Sequence, residues 1–151
     1  MPNWCNNSLV IKGKKADLKI FEKAAYKKVV KNNKVEEETE LSFENFIPIP
    51  EEQKENWYDF CVNNWGTKWD ACEVSLCKGK KQLVYTFDTA WGPPAQVITA
   101  MAEQFTELKF RLDYEEPGMA FCGFVAYEDG VMTDDIHRDM TSDELENGVE
   151  W

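Results

Sequence analysis

The chain has 151 residues, 43% of them hydrophobic and 13% aromatic, with a net charge of −11 from 28 acidic against 17 basic side chains. That length and apolar content support one domain with a real core and exclude a disordered chain or a small scaffold held by disulfides. No apolar run approaches the roughly 18–20 residues of a membrane span, and no basic-then-apolar leader is read at the start, so no membrane contact and a cytoplasmic location are expected.

Cys5 to Lys12 reads as a strand with Leu9 and Ile11 on one face, ended by Gly13. Asp17 to Val30 carries Leu18, Phe21, Ala25 and Val29 at helical spacing, so an amphipathic helix is expected there, followed by a polar loop over 32–40. The lysine runs at 12–15 and 27–34 are read as the wet side of that helix and its flanks. Pro48 and Pro50 limit Phe43–Pro50 to a short extended edge piece. Glu51 to Asn63, with Trp57, Phe60 and Cys61 on one face, predicts a second helix, stopped at Gly66 where a positive φ is natural.

From Cys72 the period changes to two. Cys72, Val74 and Leu76 alternate with polar neighbours, Lys78 to Lys81 turns the chain, and Leu83, Tyr85 and Phe87 alternate on the return, which predicts a hairpin. Gly92-Pro93-Pro94 opens a third helix with Val97, Ile98, Met101, Ala102 and Phe105 as its buried stripe. Leu108 to Tyr114 and Met119 to Tyr127 read as two further strands joined by Glu115-Glu116-Pro117-Gly118. The acidic run from Asp134, with a capping-box pattern at Thr141 to Glu144, is expected to be a mobile tail.

This order predicts an α+β fold, a ferredoxin-like split βαβ two-layer sandwich with an antiparallel sheet. An extra C-terminal edge strand and a helical insertion before the second main strand complete it. The domain is expected over 1–133, with the insertion at about 43–66 and the tail at 134–151. Four unusual stretches then fall at one end of the sheet: Met1–Asn7, the loop Asn63-Asn64-Trp65-Gly66-Thr67-Lys68-Trp69-Asp70-Ala71, Phe87–Pro94 and Tyr114–Gly118. The turns at Gly13 and Lys78–Lys81, at the opposite end, look like ordinary solvated connections.

Met-Pro-Asn-Trp-Cys at the start, the Asn64 to Asp70 loop, Thr89-Ala90-Trp91 with Pro93-Pro94, and Tyr114-Glu115-Glu116 with Gly118 together resemble the YubB-like family of plasmid, phage and bacterial proteins. The resemblance covers residues 1 to about 130 and implies a ferredoxin-like domain linked to mobile genetic elements, without catalytic residues; the acidic tail lies outside it.

At the converged end, Trp4, Trp65, Trp69, Trp91 and Tyr114 offer flat apolar walls, Asn64, Thr67 and Thr89 neutral hydrogen-bonding groups, Lys68 a cation, and Asp70 and Glu115 carboxylates. Aromatic walls with a few convergent polar groups suit a small-molecule or protein ligand, while the same tryptophans could serve only to plug the open end of a two-layer domain. Asp70 with Glu115 could also act as an acid and base pair in a hydrolase. A fourth reading makes the acidic chain a polyanion mimic that blocks a host nucleic-acid-binding protein. Five scattered cysteines without a CxxC motif read as reduced thiols, and neither metal nor cofactor is expected. The acidic balance repels phosphate backbones unless the lysines segregate on one face, so no direct nucleic-acid binding is expected. Oligomeric state has no sequence signal here.

Overall fold

A computed structural model describes residues 3–150, so Met1 and Pro2 of the opening motif and Trp151 lie outside the described residues. The central strand, β1 (Trp4–Lys12), alternates buried Cys5, Asn7, Leu9 and Ile11 with less buried Trp4, Asn6, Ser8 and Val10. It is hydrogen-bonded antiparallel on both sides, to β5 (Gln82–Ala90) and to β6 (Lys109–Glu116). β4 (Cys72–Lys78) lies outside β5, while β7 (Phe121–Glu128) and β8 (Val131–Asp139) extend the far side, giving the order β4-β5-β1-β6-β7-β8. Helices α1 (Lys15–Ala25) and α3 (Ala95–Gln104) place Leu18, Phe21 and Ala25, and Val97, Ile98, Met101 and Ala102, in the core. Phe21 sits at its centre, its ring edge-on to Tyr85, Phe105 and Phe110. The expected α+β, ferredoxin-like arrangement with an antiparallel sheet is therefore present.

Four local expectations are corrected. α1 stops at Ala25, and the residues beyond it form a hairpin, β2 (Lys27–Lys31) and β3 (Lys34–Thr39). Asn32 and Asn33 turn it with φ of 53° and 61°, the left-handed pair of a two-residue hairpin turn, which asparagine tolerates. Cross-strand ion pairs Lys27–Glu37, Lys28–Glu38 and Lys31–Glu36 line it, so the lysines at 27–34 belong to this ribbon and not to a helix face. Phe43–Pro50 is not an extended edge piece: it begins with a 3₁₀ turn at Phe43–Asn45 that buries Phe43 and Phe46. The insertion helix starts as a 3₁₀ turn over Glu51–Asn56 and becomes α2 (Trp57–Asn64), with Cys61 its fully buried residue and Trp57 exposed, against expectation.

The fourth correction concerns the acidic end. The segment expected to be a mobile tail from 134 forms most of β8 and then α4 (Ser142–Asn147), so the boundary expected at 133 falls within a strand. β8, and not the strand ending near Tyr127, is the edge of the sheet. Asp129 and Gly130 turn the chain with φ of 54° and 78°, again a hairpin turn of left-handed residues. Backbone pairing does not depend on side-chain hydrophobicity, and every β8 side chain faces enough solvent to keep its charge hydrated. The strand is further held by its neighbours. Tyr114, Gly123 and His137 lie in one cross-strand row, and the Tyr114 hydroxyl crosses Gly123 to hydrogen-bond His137 Nδ1 at 2.9 Å. A Cβ on Gly123 would meet the Ile136 carbonyl and stand 2.6 Å from Tyr114 Oη, so glycine is required for the crossing. Arg138 donates both arms of its guanidinium to Glu144, each at 2.7 Å, while Thr141 and Glu144 close a reciprocal cap on α4.

Gly123→Ala is expected to cost about 1–3 kcal/mol in urea denaturation, as overpacking of a filled site does. The Arg138 bond, supported by the Thr141 backbone, holds the Glu144 carboxyl down from 4.5 to about 2. Because that group is depressed in the folded state, the α4 clamp is fully present above the unfolded value and is lost as pH falls from 4.5 toward 2. Protection factors of the α4 amides, with the intrinsic pH dependence of exchange divided out, should fall over that window in the parent and stay level in Glu144→Gln.

Candidate functional site

The antiparallel register of β1 sets Trp4 opposite Ala90 and Asn6 opposite Glu115, while β5 sets Asp88 opposite Cys72. The described parts of the four stretches thus begin or end at one rim, but their side chains divide between three jobs. The first job is a plug. Trp65, at the end of α2, is 2% exposed, stands edge-on to Phe43 and donates its indole N–H to the Ile47 carbonyl at 2.9 Å. Gly66 follows with φ of 88°, a left-handed backbone that strains any side chain, and lies against Gln96 at the start of α3. Thr67, also buried, donates to the Ala90 carbonyl at 3.0 Å. Asn64 bonds back to the Phe60 carbonyl, finishing α2.

Asp70 pins this plug to the insertion. Its carboxylate accepts from Ser42 Oγ at 2.6 Å and from the backbone N–H of Phe43 and of Ala71, each at 2.7 Å. Burial pushes its pKa up, and those three donors act against the shift. Across the rim, Asn7 donates to Thr89 at 2.9 Å, and Thr89 donates to the Gly92 carbonyl at 2.6 Å. That last bond closes the turn carrying Trp91, which has φ of 73° although it is not glycine.

The second job falls to four side chains left at the surface. Trp4 and Trp69 lie with ring centroids 6.0 Å apart, Trp69 being 37% and Trp91 52% exposed. The Lys68 ammonium lies 4.1 Å from the Trp69 ring centre and 5.6 Å from that of Trp91. This is the distance range in which a cation is attracted to the electron-rich ring face. Beside them opens a cleft of about 340 Å³ lined by Tyr58, Val62, Gly66, Thr67, Lys68 and Trp91, among others. Tyr58 and Val62 were not among the expected site residues. Their signal was available: α2 carries apolar residues all round its surface and has little buried face to use them.

The third group is separate. Tyr114 faces His137 and Phe121 across β7, and Glu115 Oε2 accepts from the Val149 N–H at 3.0 Å. Both hold the C-terminal strand and helix and do not join the tryptophan rim, contrary to expectation. Asp70 and Glu115 therefore do not form an acid and base pair: each is bonded to its own structural partners on a different part of the sheet. The Cys5 and Cys61 thiols are unsuited to nucleophilic work, burial pushing Cys5 up to about 12 and Cys61 up to about 11. Among the described residues, no group of three or more histidine, cysteine or acidic side chains is placed to hold a metal ion.

Trp65→Ala is expected to cost about 3–5 kcal/mol in urea denaturation, as deletion of a buried aromatic does. Trp69→Ala should cost under about 1 kcal/mol, as a surface change does, and Trp91→Gly should be neutral or stabilising because glycine accepts the positive φ.

The sequence of residues 64–150 matches a family model described as the ferredoxin-like domain in Api92-like protein, and the match runs through the acidic segment. No curated protein matches the chain. The crystal structure of a protein Api92 from Yersinia pseudotuberculosis superposes with a TM-score of 0.74, covering 93% of this chain and 99% of that one at 11% identity. That likeness extends the shared fold over the N-terminal strand, helix and insertion, which the family model does not reach. No helix is long and apolar enough to cross a membrane among the described residues. With more than half of its length matched, the chain belongs to the family of ferredoxin-like domains in Api92-like proteins.

Proposed function

We propose that this chain is a non-catalytic binding module that takes a small molecule or a protein segment at the tryptophan rim. The observation that carries this reading is the division of labour among the tryptophans. Trp65 alone fills the end of the core, whereas Trp69 and Trp91 stay exposed around the Lys68 ammonium. A plug needs none of that exposed aromatic surface, and the left-handed backbone at Trp91 is a local strain that burial does not explain. Flat rings and one cation favour a ligand with a planar, electron-rich face that can stack on indole and accept the lysine's charge.

The hydrolase reading named Asp70 with Glu115, and separate structural partners hold those two carboxylates. The polyanion-mimic reading draws on the exposed Asp134, Asp135 and Asp139 of β8 and Asp143 and Glu146 of α4. The rim is preferred because exposed, strained aromatics need a reason, whereas exposed carboxylates do not. An association with mobile genetic elements rests on the YubB-like resemblance alone.

A fragment library of planar, electron-rich aromatics, followed by the indole N–H resonances in a nitrogen–proton spectrum, tests the rim. Binders should shift the Trp4, Trp69 and Trp91 signals, spare that of Trp65, and be lost in Trp69→Ala/Trp91→Ala. Binding that survives in that variant would place the ligand elsewhere.

A further inference from the structure

The opposite end of the molecule is electrostatically the reverse of the rest. Residues 12–23 hold five lysines against Asp17 and Glu22, and residues 78–82 hold three lysines and no acid. These two segments carry a net +6, which leaves −17 on the remainder of the chain. The fold brings them together. Lys12 pairs in register with Gln82 on one side and with Lys109 on the other, and the Gly13 N–H donates to the Lys81 carbonyl at 3.2 Å.

Between α1 and the β4–β5 turn lies an open groove of about 770 Å³, walled by Lys15, Lys19, Lys78 and Lys80, with Glu22 among them, over the aliphatic side chains of Leu18 and Leu83. Lys78 pairs with Glu22 at 2.7 Å and Lys109 with Glu128 at 3.3 Å. Lys12, Lys14, Lys15, Lys19, Lys80 and Lys81 are all exposed and make no ion pair within the described residues.

This placement works against local stability. Lys14 is the N-cap of α1 and Lys15 its first residue, with no side-chain cap, so cations crowd the positive end of a helix where carboxylates are favoured. Asp17 is the single carboxylate in that first turn, and a run of like charges that it does not balance points to an external partner. We infer that the lysine end docks on the phosphate backbone of a nucleic acid duplex. Six free ammonium groups spread over two segments exceed what one phosphate can use, and they match a surface of evenly repeated negative charge. No aromatic side chain lines the groove, so no base is stacked there and the contact is independent of sequence. The acidic remainder of the chain is repelled by the same backbone, which leaves one orientation for approach. The expectation of no direct nucleic-acid binding carried the condition that the lysines do not segregate on one face, and the register of β1 bears on that condition.

Fluorescence anisotropy of a short labelled DNA duplex, titrated with the full chain across a salt series, tests this. Affinity should fall linearly on logarithmic axes with a slope of about −5, for roughly six phosphates neutralised. Lys14→Glu/Lys15→Glu/Lys80→Glu should weaken binding by about 100-fold or more at low salt and flatten the slope, while melting at the same temperature or above. Trp69→Ala/Trp91→Ala should bind the duplex as the parent does, which separates this site from the rim. Absence of duplex binding at low salt, or unchanged binding by the lysine variant, would overturn the inference. So would self-association that the lysine variant abolishes without any duplex binding, since the occupant would then be the acidic surface of a second copy.

Discussion

The antiparallel bonding of β1 on both of its edges is the constraint from which the rest follows. A strand paired in this way must bring its own start beside the ends of two neighbours and its own end beside their starts. With Trp4 opposite Ala90 and Lys12 opposite both Gln82 and Lys109, chain segments far apart in sequence are sorted to two poles. One pole collects tryptophans and the other collects lysines. Neither collection is a property of any single segment.

Within the tryptophan pole, hydrogen bonds decide which aromatic is structural. Trp65 is fixed because its indole and backbone N–H donate to the Ile47 and Cys61 carbonyls, its own carbonyl accepts from the Val97 N–H, and nearby Thr67 donates to the Ala90 carbonyl. Asp70 secures the same corner by holding Ser42 and the turn at Phe43 against the entry to β4. Polar groups in these positions would be costly if unpaired, so each pairing restricts the loop to one shape. The restricted loop then presents Lys68 and Trp69 outward, and the Thr89 to Gly92 bond presents Trp91 beside them. A rigid scaffold carrying exposed aromatics is what the proposed binding role requires.

At the C-terminal side, the sheet grows beyond the four strands of the basic fold by a hairpin whose outer strand is exposed along its whole length. Gly123 makes this extension specific: Tyr114 uses the space of the missing side chain to reach His137. The match of the family model through residue 150 agrees with this segment being part of the domain. At 11% identity, the likeness to Api92 speaks for the fold alone, and the chemistry of the two poles has to be read from this chain's own residues.

Periodicity in the sequence was enough to read the ferredoxin-like core, because the alternation in β1, β4 to β7 and the stripes of α1 and α3 are each set by a single buried face. The hairpin at 27–39 and strand β8 were missed because their stability comes from ion pairs and backbone pairing, which leave no apolar pattern; the Asn32-Asn33 and Asp129-Gly130 turns were their legible signals. That unusual residues gather at one end followed from topology and could be argued beforehand. Which of them face solvent could not, since neighbouring positions on a strand point to opposite faces and only packing shows what covers each. Trp65 and Trp69 are alike in the sequence, yet one is core and the other surface. The lysines of 12–15 and 78–81 likewise looked like two solvated turns until the sheet set them side by side, because electrostatic potential depends on distance in space and net charge does not.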